Sequence, residues 1–516
     1  MNIKRAKKEI ENTIKAYLQK DAYGDYLIPT IRQRPILLIG APGIGKTQIM
    51  EQIARECDIA LVAYTITHHT RQSAIGLPFI LEKEFFGKKY SVTEYTMSEI
   101  IGSVYEQMEK TGRKEGILFI DEINCVSETL APTMLQFLQC KTFGNQQVPE
   151  GWIIVAAGNP PEYNKSVREF DVVTLDRVKK IDVEPDFSVW KEYAYKAGVH
   201  GAIISYLELK KENFYQMETR VDGKRFATAR GWQDLSELLT VYEKIGMEVD
   251  QEVIFQYIQH EKIAKDFANY LELYYKYQTD YQIQGILTGN VRESVYEKLK
   301  FAPFDERLSV IGLLLAAMSE KFEEVYDVDR YVTELFELLK NYRRKLAENE
   351  NPAAVLVAMS QQTLTKAQID RESERIDRKT EHLQKELGKT LDNYAQLLKG
   401  EGIAEANAAF ERVRREFVKE TENREQKIAA VSEHLECAFD FMERAFGESQ
   451  EMVVFITALT VNFYGAKFLS ENECGRFYKY NKGLLANERR AGILGGIEEV
   501  EMLMNGNETN VKRVSL

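Results

Sequence analysis

Residues 34–47 read RPILLIGAPGIGKT, and this stretch decides the fold of the chain. Ile36 to Ile39 form an apolar run of strand length, and the octapeptide GAPGIGKT follows at once. The octapeptide matches G-x-x-x-x-G-K-[ST], the pattern of a phosphate-binding loop. The next segment, QIMEQIARECDIA, is spaced as a helix whose N-terminus would face the bound anion. A strand before the loop and a helix after it favour this interpretation over a glycine-rich turn that arose by chance.

Each part of the loop has a chemical role that suits its residue type. Glycines allow the backbone to turn so that its N–H groups point at phosphate oxygens. Lys46 would supply a positive charge to the β- and γ-phosphates, and the Thr47 hydroxyl would ligate Mg²⁺. The residues expected to bind the nucleotide are therefore Gly40, Pro42, Gly43, Gly45, Lys46 and Thr47.

A second motif lies at residues 116–122, where the sequence reads GILFIDE. Its apolar run has the character of a buried parallel strand, and it ends in Asp121 and Glu122. Ligands of open α/β sheets bind at the carboxyl ends of strands, which is where both carboxylates would lie. Asp121 would hold Mg²⁺, directly or through water, and Glu122 would orient and activate the attacking water. The alternative is a simple turn at a strand end.

Another buried strand, WIIVAAG at residues 152–158, ends in Asn159 and two prolines. The Asn159 side chain would lie beside the two carboxylates and would orient the water or contact the γ-phosphate. The alternative is an asparagine selected for its turn chemistry before proline. Two later arginines, Arg177 in TLDRVKKI and Arg230 in TARGWQDL, follow in an order that suggests roles in the same site.

Taken together, these elements resemble the AAA+ ATPases, and specifically their MoxR-like branch, over roughly residues 25–245. The segment Gly76-Leu77-Pro78 and the hairpin expected after it resemble an insertion of that branch. By this resemblance Asn159 is similar to the sensor-1 residue, and Arg177 to the arginine finger that reaches a neighbouring subunit's γ-phosphate. Arg230 is similar to the sensor-2 arginine, and Arg168 competes with Arg177 for the finger role.

The resemblance also implies cofactors and partners. ATP and Mg²⁺ are the expected cofactors. Members of the family commonly form hexameric rings and remodel other proteins, so a homo-oligomer and a protein client are expected. A von Willebrand factor A-domain protein is one candidate for that client.

The composition of the 516-residue chain argues against several other classes of protein. The formal net charge of −12 disfavours a large nucleic-acid surface, since phosphate binding depends on clustered lysine and arginine. Five scattered cysteines match neither a disulfide framework nor a metal-ligand spacing, which favours a reducing compartment. The N-terminus lacks the apolar core of a signal peptide, and no apolar run is long enough to cross a bilayer. We therefore expect a soluble cytoplasmic protein with no membrane contact.

The expected fold class is an α/β P-loop AAA+ module with a parallel sheet and a helical lid, followed by an all-α C-terminal region. We expect five segments: an N-terminal helix and linker (1–24), the nucleotide-binding core (25–185), a lid with a helical extension (186–345), a long helical hairpin (346–450), and C-terminal helices with a tail (451–516). In the linker, Tyr26 and Ile28 either contact the adenine or simply pack against the first strand.

The hairpin is expected over residues 363–446, with a turn at Lys399-Gly400-Glu401-Gly402. Apolar residues recur at spacings of three and four on both arms, as in an antiparallel coiled coil. The seam becomes polar at Glu420 and Arg424. Two interpretations stay open: an arm that binds a partner, or a helix pair folded back on the lid.

The function favoured by the sequence is ATP hydrolysis coupled to remodelling or activation of a protein partner. One alternative is a nucleotide-gated assembly scaffold with little turnover, which the presence of Glu122 disfavours. The other is a nucleic-acid motor subunit, which the acidic net charge disfavours.

Overall fold

A computed structural model describes residues 1–68, 72, 74, 76–143, 146–163, 170–220, 223–346, 351–372 and 376–482. An N-terminal α/β unit precedes a region that is almost entirely helical. This arrangement confirms the expected fold class. Within the described residues, no single helix is long and apolar enough to cross a membrane.

The strands are β1 (Ile36–Gly40), β2 (Ala60–Thr65), β3 (Pro78–Phe85), β4 (Lys88–Tyr95), β5 (Gly116–Asp121), β6 (Thr142–Phe143), β7 (Gln146–Gln147), β8 (Trp152–Gly158), β9 (Lys179–Val183), β10 (Gln216–Arg220) and β11 (Gly223–Ala227). Five of them form one parallel sheet in the order β2-β5-β8-β1-β9. Because these strands are parallel, the residues that follow β1, β5 and β8 meet at one edge of the sheet.

The helices are α1 (Ile3–Tyr17), α2 (Lys46–Glu56), α3 (Glu99–Thr111), α4 (Ala131–Cys140), α5 (Val172–Leu175), α6 (Phe187–Ala197), α7 (Gly201–Leu209), α8 (Ala229–Ile245), α9 (Gln251–Tyr257), α10 (Glu261–Asp280), α11 (Ile283–Leu287), α12 (Glu293–Phe301), α13 (Phe304–Leu346), α14 (Pro352–Glu372), α15 (Arg378–Gly400), α16 (Ala406–Phe446), α17 (Gln450–Val461) and α18 (Phe463–Glu471).

The sheet is covered on both faces, because neighbouring residues of a strand point in opposite directions. On one face, Leu118 and Ile154 join a buried cluster with α3 and α4. On the other face, Phe119 and Val155 join a cluster with α1 and α2. A parallel sheet covered in this way leaves the edge at the ends of its strands as the place where a ligand can approach.

The hairpin expected after Gly76-Leu77-Pro78 is present as β3 and β4, which pair in antiparallel register. Its base is closed by Thr96, whose backbone N–H donates to the Leu77 carbonyl at 2.9 Å. A side chain at Gly76 would lie 2.1 Å from the Thr96 carbonyl oxygen, so glycine permits this closure. The hairpin therefore projects from a tightly fixed base between β2 and α3.

The lid, defined as α6–α9 with the β10–β11 hairpin (residues 187–257), packs around Trp232. It does not form a core alone. The same buried cluster contains Phe267 of α10, Phe322 of α13, and Phe439 and Phe455 from the C-terminal region. Elements far apart in the sequence therefore complete the lid.

The C-terminal region departs from the expected coiled coil. The predicted first arm is split, because α14 ends at Glu372 and α15 begins at Arg378. Helix α15 packs chiefly against α14, and α16 packs chiefly against α13 rather than against α15. The predicted turn does occur between α15 and α16. The spacing of three and four correctly showed that each helix has an apolar face, but it did not determine which helix would cover that face.

Helices α13 and α16 are 43 and 41 residues long and run in opposite directions through two hydrophobic clusters. In α16, Val431 and Leu435 lie in the lid cluster, whereas Val413 lies in a second cluster with α14 and α15. The polar interruption of the seam has a specific partner: Arg424 Nε donates to Asp329 Oδ1 of α13 at 2.6 Å. The C-terminal part of the second predicted arm, residues 428–446, is thus folded onto the lid. The segment boundaries near residues 346 and 450 stay predictions.

Candidate nucleotide-binding site

The loop between β1 and α2 adopts a backbone that depends on glycine. Gly43 and Gly45 have φ angles of +74° and +92°, which L side chains rarely adopt. Gly40 is required for a different reason, because a Cβ there would lie 2.9 Å from the Val183 carbonyl oxygen and 2.8 Å from Ile44 Cδ1. The sequence therefore folds locally into a turn that ends at the N-terminus of α2.

Lys46 lies at the centre of this loop and is 8% exposed. Its ammonium group donates to the carbonyls of Gly40 at 2.8 Å and Ala41 at 3.0 Å, and to Asn159 Oδ1 at 2.9 Å. Burial lowers the pKa of Lys46 to about 8. The nearby Arg230 charge also lowers this pKa, whereas the carboxylates of Asp121 and Glu122 oppose the shift. The charges of these three groups therefore act on the Lys46 ammonium group.

The two carboxylates at the end of β5 have different contacts. Asp121 Oδ2 accepts from the Thr47 hydroxyl at 3.1 Å, and Asp121 Oδ1 accepts from the Glu122 backbone N–H at 2.9 Å. Glu122 has a φ of +57°, a conformation that is uncommon for residues other than glycine. Its Oε2 accepts from the hydroxyl of Thr67 at 3.1 Å. The chain thus turns away sharply after Asp121, and Thr67 fixes the Glu122 carboxylate.

The Thr47 hydroxyl and the Asp121 carboxylate fit a magnesium ion shared with nucleotide phosphates. Mg²⁺ prefers oxygen ligands and binds proteins through one or two carboxylates together with substrate phosphates. Within the described ranges, no cluster of three or more His, Cys, Asp or Glu side chains is arranged to hold a metal. An ion here would therefore depend on phosphate oxygens for much of its coordination.

Asn159 follows β8, as expected, and contacts Lys46 directly. A second asparagine that the sequence analysis missed supports it. The buried Asn124 donates from Nδ2 to the Asn159 carbonyl at 2.7 Å, and its Oδ1 accepts from the Asn159 N–H at 3.3 Å. Gly158 allows this approach, since a Cβ there would lie 2.5 Å from Asn124 Oδ1. Only the spacing Asp-Glu-x-Asn hinted at this role.

Replacement of Asn124 by alanine should lower kcat by about tenfold or more. The substitution leaves the backbone groups of Asn159 without partners, which costs roughly 1–3 kcal/mol and releases the strand end that aims Asn159. Steady-state ATPase assays and thermal unfolding would be compared for Asn124→Ala and for Thr129→Ala, a control in an exposed loop. Equal kcat values for Asn124→Ala and the unmodified protein would contradict the assignment.

The lid contacts the loop through the start of α8. The backbone N–H of Arg230 donates to the Gly43 carbonyl at 3.2 Å. Thr228 caps α8 by accepting from Gly231 N at 3.2 Å, and a Cβ at Gly43 would lie 3.2 Å from the Thr228 side chain. The structure therefore brings Arg230 to the phosphate-binding loop, and its role as a sensor arginine stays a prediction.

Arg177 lies apart from these groups. Its side chain is exposed and donates to Gln139 Oε1 of α4. It does not line the cleft beside its own phosphate-binding loop. The competing Arg168 lies outside the described residues. The role of either arginine as a finger stays a prediction.

A cleft of about 1300 Å³ opens between the loop and the lid. Its loop side includes Gly43, Gly45 and Thr47, and its lid side includes Arg230 and Gln233. Apolar lining residues are Ile3, Ile44, Pro185, Val189, Trp190 and Phe214, and the C-terminal helices contribute Phe463 and Lys467. The cleft also carries many charged side chains and exceeds the usual ligand-pocket range of about 300–1,000 Å³, because it extends beyond the phosphate-binding loop along α2 and the lid.

The suggestion that Tyr26 and Ile28 contact the adenine is wrong. The Tyr26 hydroxyl donates to Glu115 Oε1 at 3.1 Å, and a Cβ at Gly151 would lie 2.5 Å from it. Glu115 and Gly151 immediately precede β5 and β8, so Tyr26 lies at the sheet edge opposite the phosphate-binding loop. Ile28 likewise does not line the cleft.

Comparisons with known proteins agree with this geometry. Residues 35–178 match a family model described as AAA domain (dynein-related subfamily). A search of curated proteins found no match. Among solved structures, PCH-2 from C. elegans matches at 14% sequence identity with a TM-score of 0.23. That match covers 40% of this chain and 48% of that chain.

The matched segment contains the phosphate-binding loop, both carboxylates of β5, Asn159 and Arg177. It ends before the lid and the helical C-terminal region. Residues 35–178 are therefore similar to an AAA domain, and the α/β unit with its five-stranded parallel sheet has the AAA fold.

Proposed function

We propose that this protein is a Mg²⁺-dependent AAA+ ATPase, of the MoxR-like branch, that couples ATP binding and hydrolysis to remodelling of a protein partner. The observation that carries the proposal is that the phosphate-binding loop contacts three elements: Asn159 after β8, Asp121 at the end of β5, and Arg230 at the start of lid helix α8. By resemblance to the family, the active form is a homo-oligomer, with a hexameric ring as the expected size.

Each residue of the site has its own role in the proposed reaction. The loop amides and Lys46 hold the phosphates, and Mg²⁺ held by Thr47 and Asp121 neutralises phosphate charge when bound. Glu122 orients a water and accepts its proton, while Thr67 holds the carboxylate that does so. Asn159 aims its amide at the γ-phosphate side of Lys46. Arg230 links the nucleotide to the lid.

The partner surface we propose is the β3–β4 hairpin, residues 78–95. One face carries Phe79, Leu81, Phe85 and Tyr90, which are 40%, 40%, 47% and 50% exposed. Phe86 at the tip is fully exposed at φ +51°, a conformation that is strained for an aromatic residue. An isolated two-stranded hairpin with such a face is marginally stable in water, so it suits a surface that becomes covered.

The chemistry of this surface favours an apolar, extended segment of a protein partner. Its three lysines and three glutamates sum to no net charge, so the hairpin has no excess positive charge to attract nucleic acid. Lys83 pairs with Glu94, and Lys89 pairs with Glu82. The outer edges of both strands also leave backbone groups for strand addition. Thr67, which contacts Glu122, lies close in sequence to the hairpin base. The proposed partner surface is therefore close in sequence to the residue that positions the catalytic carboxylate.

We expect a permanently unfolded polypeptide, reduced and carboxymethylated lactalbumin, to stimulate ATP turnover of the unmodified protein but not of Phe86→Asp. The basal turnover of Phe86→Asp should stay unchanged, because the tip is distant from the phosphate-binding loop. The matched control is Phe301→Asp, which alters another aromatic residue that is 85% exposed. The measurement is the ATPase rate against polypeptide concentration.

Equal stimulation of both variants would show that the hairpin is not the partner surface. ATP binding with no turnover by the unmodified, assembled protein would contradict the ATPase proposal. It would favour the nucleotide-gated scaffold instead.

A further inference from the structure

Four consecutive carbonyl groups of the phosphate-binding loop, from Gly40 to Gly43, each accept a hydrogen bond. A loop that turns its N–H groups toward phosphates directs its carbonyls elsewhere, and buried carbonyls need donors. Lys46 satisfies the carbonyls of Gly40 and Ala41. The next two carbonyls, of Pro42 and Gly43, accept from outside the loop, and both donors come from the lid.

One of these donors is Tyr215, whose hydroxyl donates to the Pro42 carbonyl at 3.0 Å. The other is the backbone N–H of Arg230, which donates to the Gly43 carbonyl at 3.2 Å. Tyr215 immediately precedes β10, and Arg230 follows β11 by three residues. Because Gln216 pairs with Ala227, the two donor residues lie at the same end of the β10–β11 hairpin.

The surroundings of Tyr215 make this end of the hairpin rigid. Its ring packs against both the lid cluster and the cluster of the sheet with α1 and α2. The indole N–H of the buried Trp232 donates to the carbonyl of the preceding residue, Phe214, at 3.1 Å. Burial raises the pKa of Tyr215, so its hydroxyl stays protonated and remains a donor.

We infer that the base of the β10–β11 hairpin clamps the phosphate-binding loop, with Tyr215 as a positioning residue for ATP binding. A displacement of the lid moves both donors together, so lid position is transmitted to the carbonyl side of the loop. The amide side that holds the phosphates then responds, because each peptide unit is planar and its two groups turn as one. This inference rests on the proposed ATP site.

The test is Tyr215→Phe, which keeps the ring and removes the hydroxyl. A hydrogen bond of this kind has a net value that corresponds to about a two- to tenfold change in an equilibrium constant. We expect the Kd for a fluorescent ATP analogue and the KM for ATP to rise by that factor, while kcat changes by less than about twofold. Amide hydrogen exchange at residues 43–45 should accelerate in the protein without added nucleotide.

The matched control is Tyr331→Phe, which removes a hydroxyl that lies 2.8 Å from Thr390 Oγ1 in the distal helices. It should leave Kd, KM and the exchange of residues 43–45 unchanged. A Tyr215→Phe protein with a lower melting temperature but unchanged Kd and exchange would overturn the inference. Absence of ATP binding by the unmodified protein would overturn the proposed function, whereas the exchange measurement would still test the clamp.

Discussion

Glu122→Gln should bind ATP with near-normal affinity and hydrolyse it at least about a hundredfold more slowly. The amide is nearly the same size as the carboxylate and can still accept from Thr67, which donates to Glu122 Oε2 at 3.1 Å. It is a very weak base, however, and positioned acid–base groups contribute about 10²–10⁴-fold to enzymatic rates. Binding and turnover would be measured separately, by equilibrium titration and by phosphate release.

Lys46→Ala provides the contrast, because it should lose nucleotide binding itself. Lys46 is the buried cation of the loop, and its removal also frees the carbonyls of Gly40 and Ala41. The two variants thus separate phosphate binding from water activation. Near-normal turnover by Glu122→Gln would show that the catalytic assignment is wrong, whatever the behaviour of Lys46→Ala.

Arg177→Ala should reduce turnover on the order of 10³-fold, if Arg177 acts on the nucleotide of a neighbouring subunit. The exposed side chain pairs with Gln139 and lies outside the cleft of its own chain, so it is available to a second copy. ATP binding should survive, because the residues that hold the phosphates are unchanged. The matched control is Arg292→Ala, which removes another exposed arginine, in the helical region of the chain.

Mixing Arg177→Ala with Glu122→Gln tests whether the contribution is made between subunits. Mixed oligomers contain some interfaces that combine an intact Arg177 with an intact Glu122, so part of the activity should return. Assembly would be verified by size-exclusion chromatography with light scattering. No recovery in verified mixed oligomers, together with recovery when an Arg168 variant is used, would transfer the finger role to Arg168.

The sequence was most informative where chemistry depends on the ends of parallel strands. The proximity of Lys46, Asp121 and Asn159 follows from three apolar runs, of which two end in a polar residue and the first leads into the loop that contains Lys46. Once the runs are taken as parallel strands of one sheet, their ends must share an edge. Arg230 lies on no strand of that sheet, and its position beside the loop was expected from the family resemblance alone. Its exact contact, a backbone N–H, has no sequence signature.

Residues that support the site could not be found in this way. Thr67, Asn124 and Tyr215 are single polar residues whose roles depend on what folds beside them. The prediction that α16 pairs with the other arm of a coiled coil failed for a related reason. An apolar face indicates that a helix is covered, but it does not indicate which element covers it. Tyr26 was misplaced because a linker that leads into a strand can pass either edge of the sheet.

The pairing of α13 with α16 gives the molecule a lever arm. Val325 is the last residue of α13 in the lid cluster, and the helix continues from there to Leu346. At 1.5 Å per residue this distal part is about 30 Å long. The Asp329–Arg424 ion pair ties it to its antiparallel neighbour just beyond the lid. A lid rotation of about 10° would therefore displace the far end by about 5 Å. A small change beside the nucleotide would then become a movement at the turn between α15 and α16, which lies beside the end of α13.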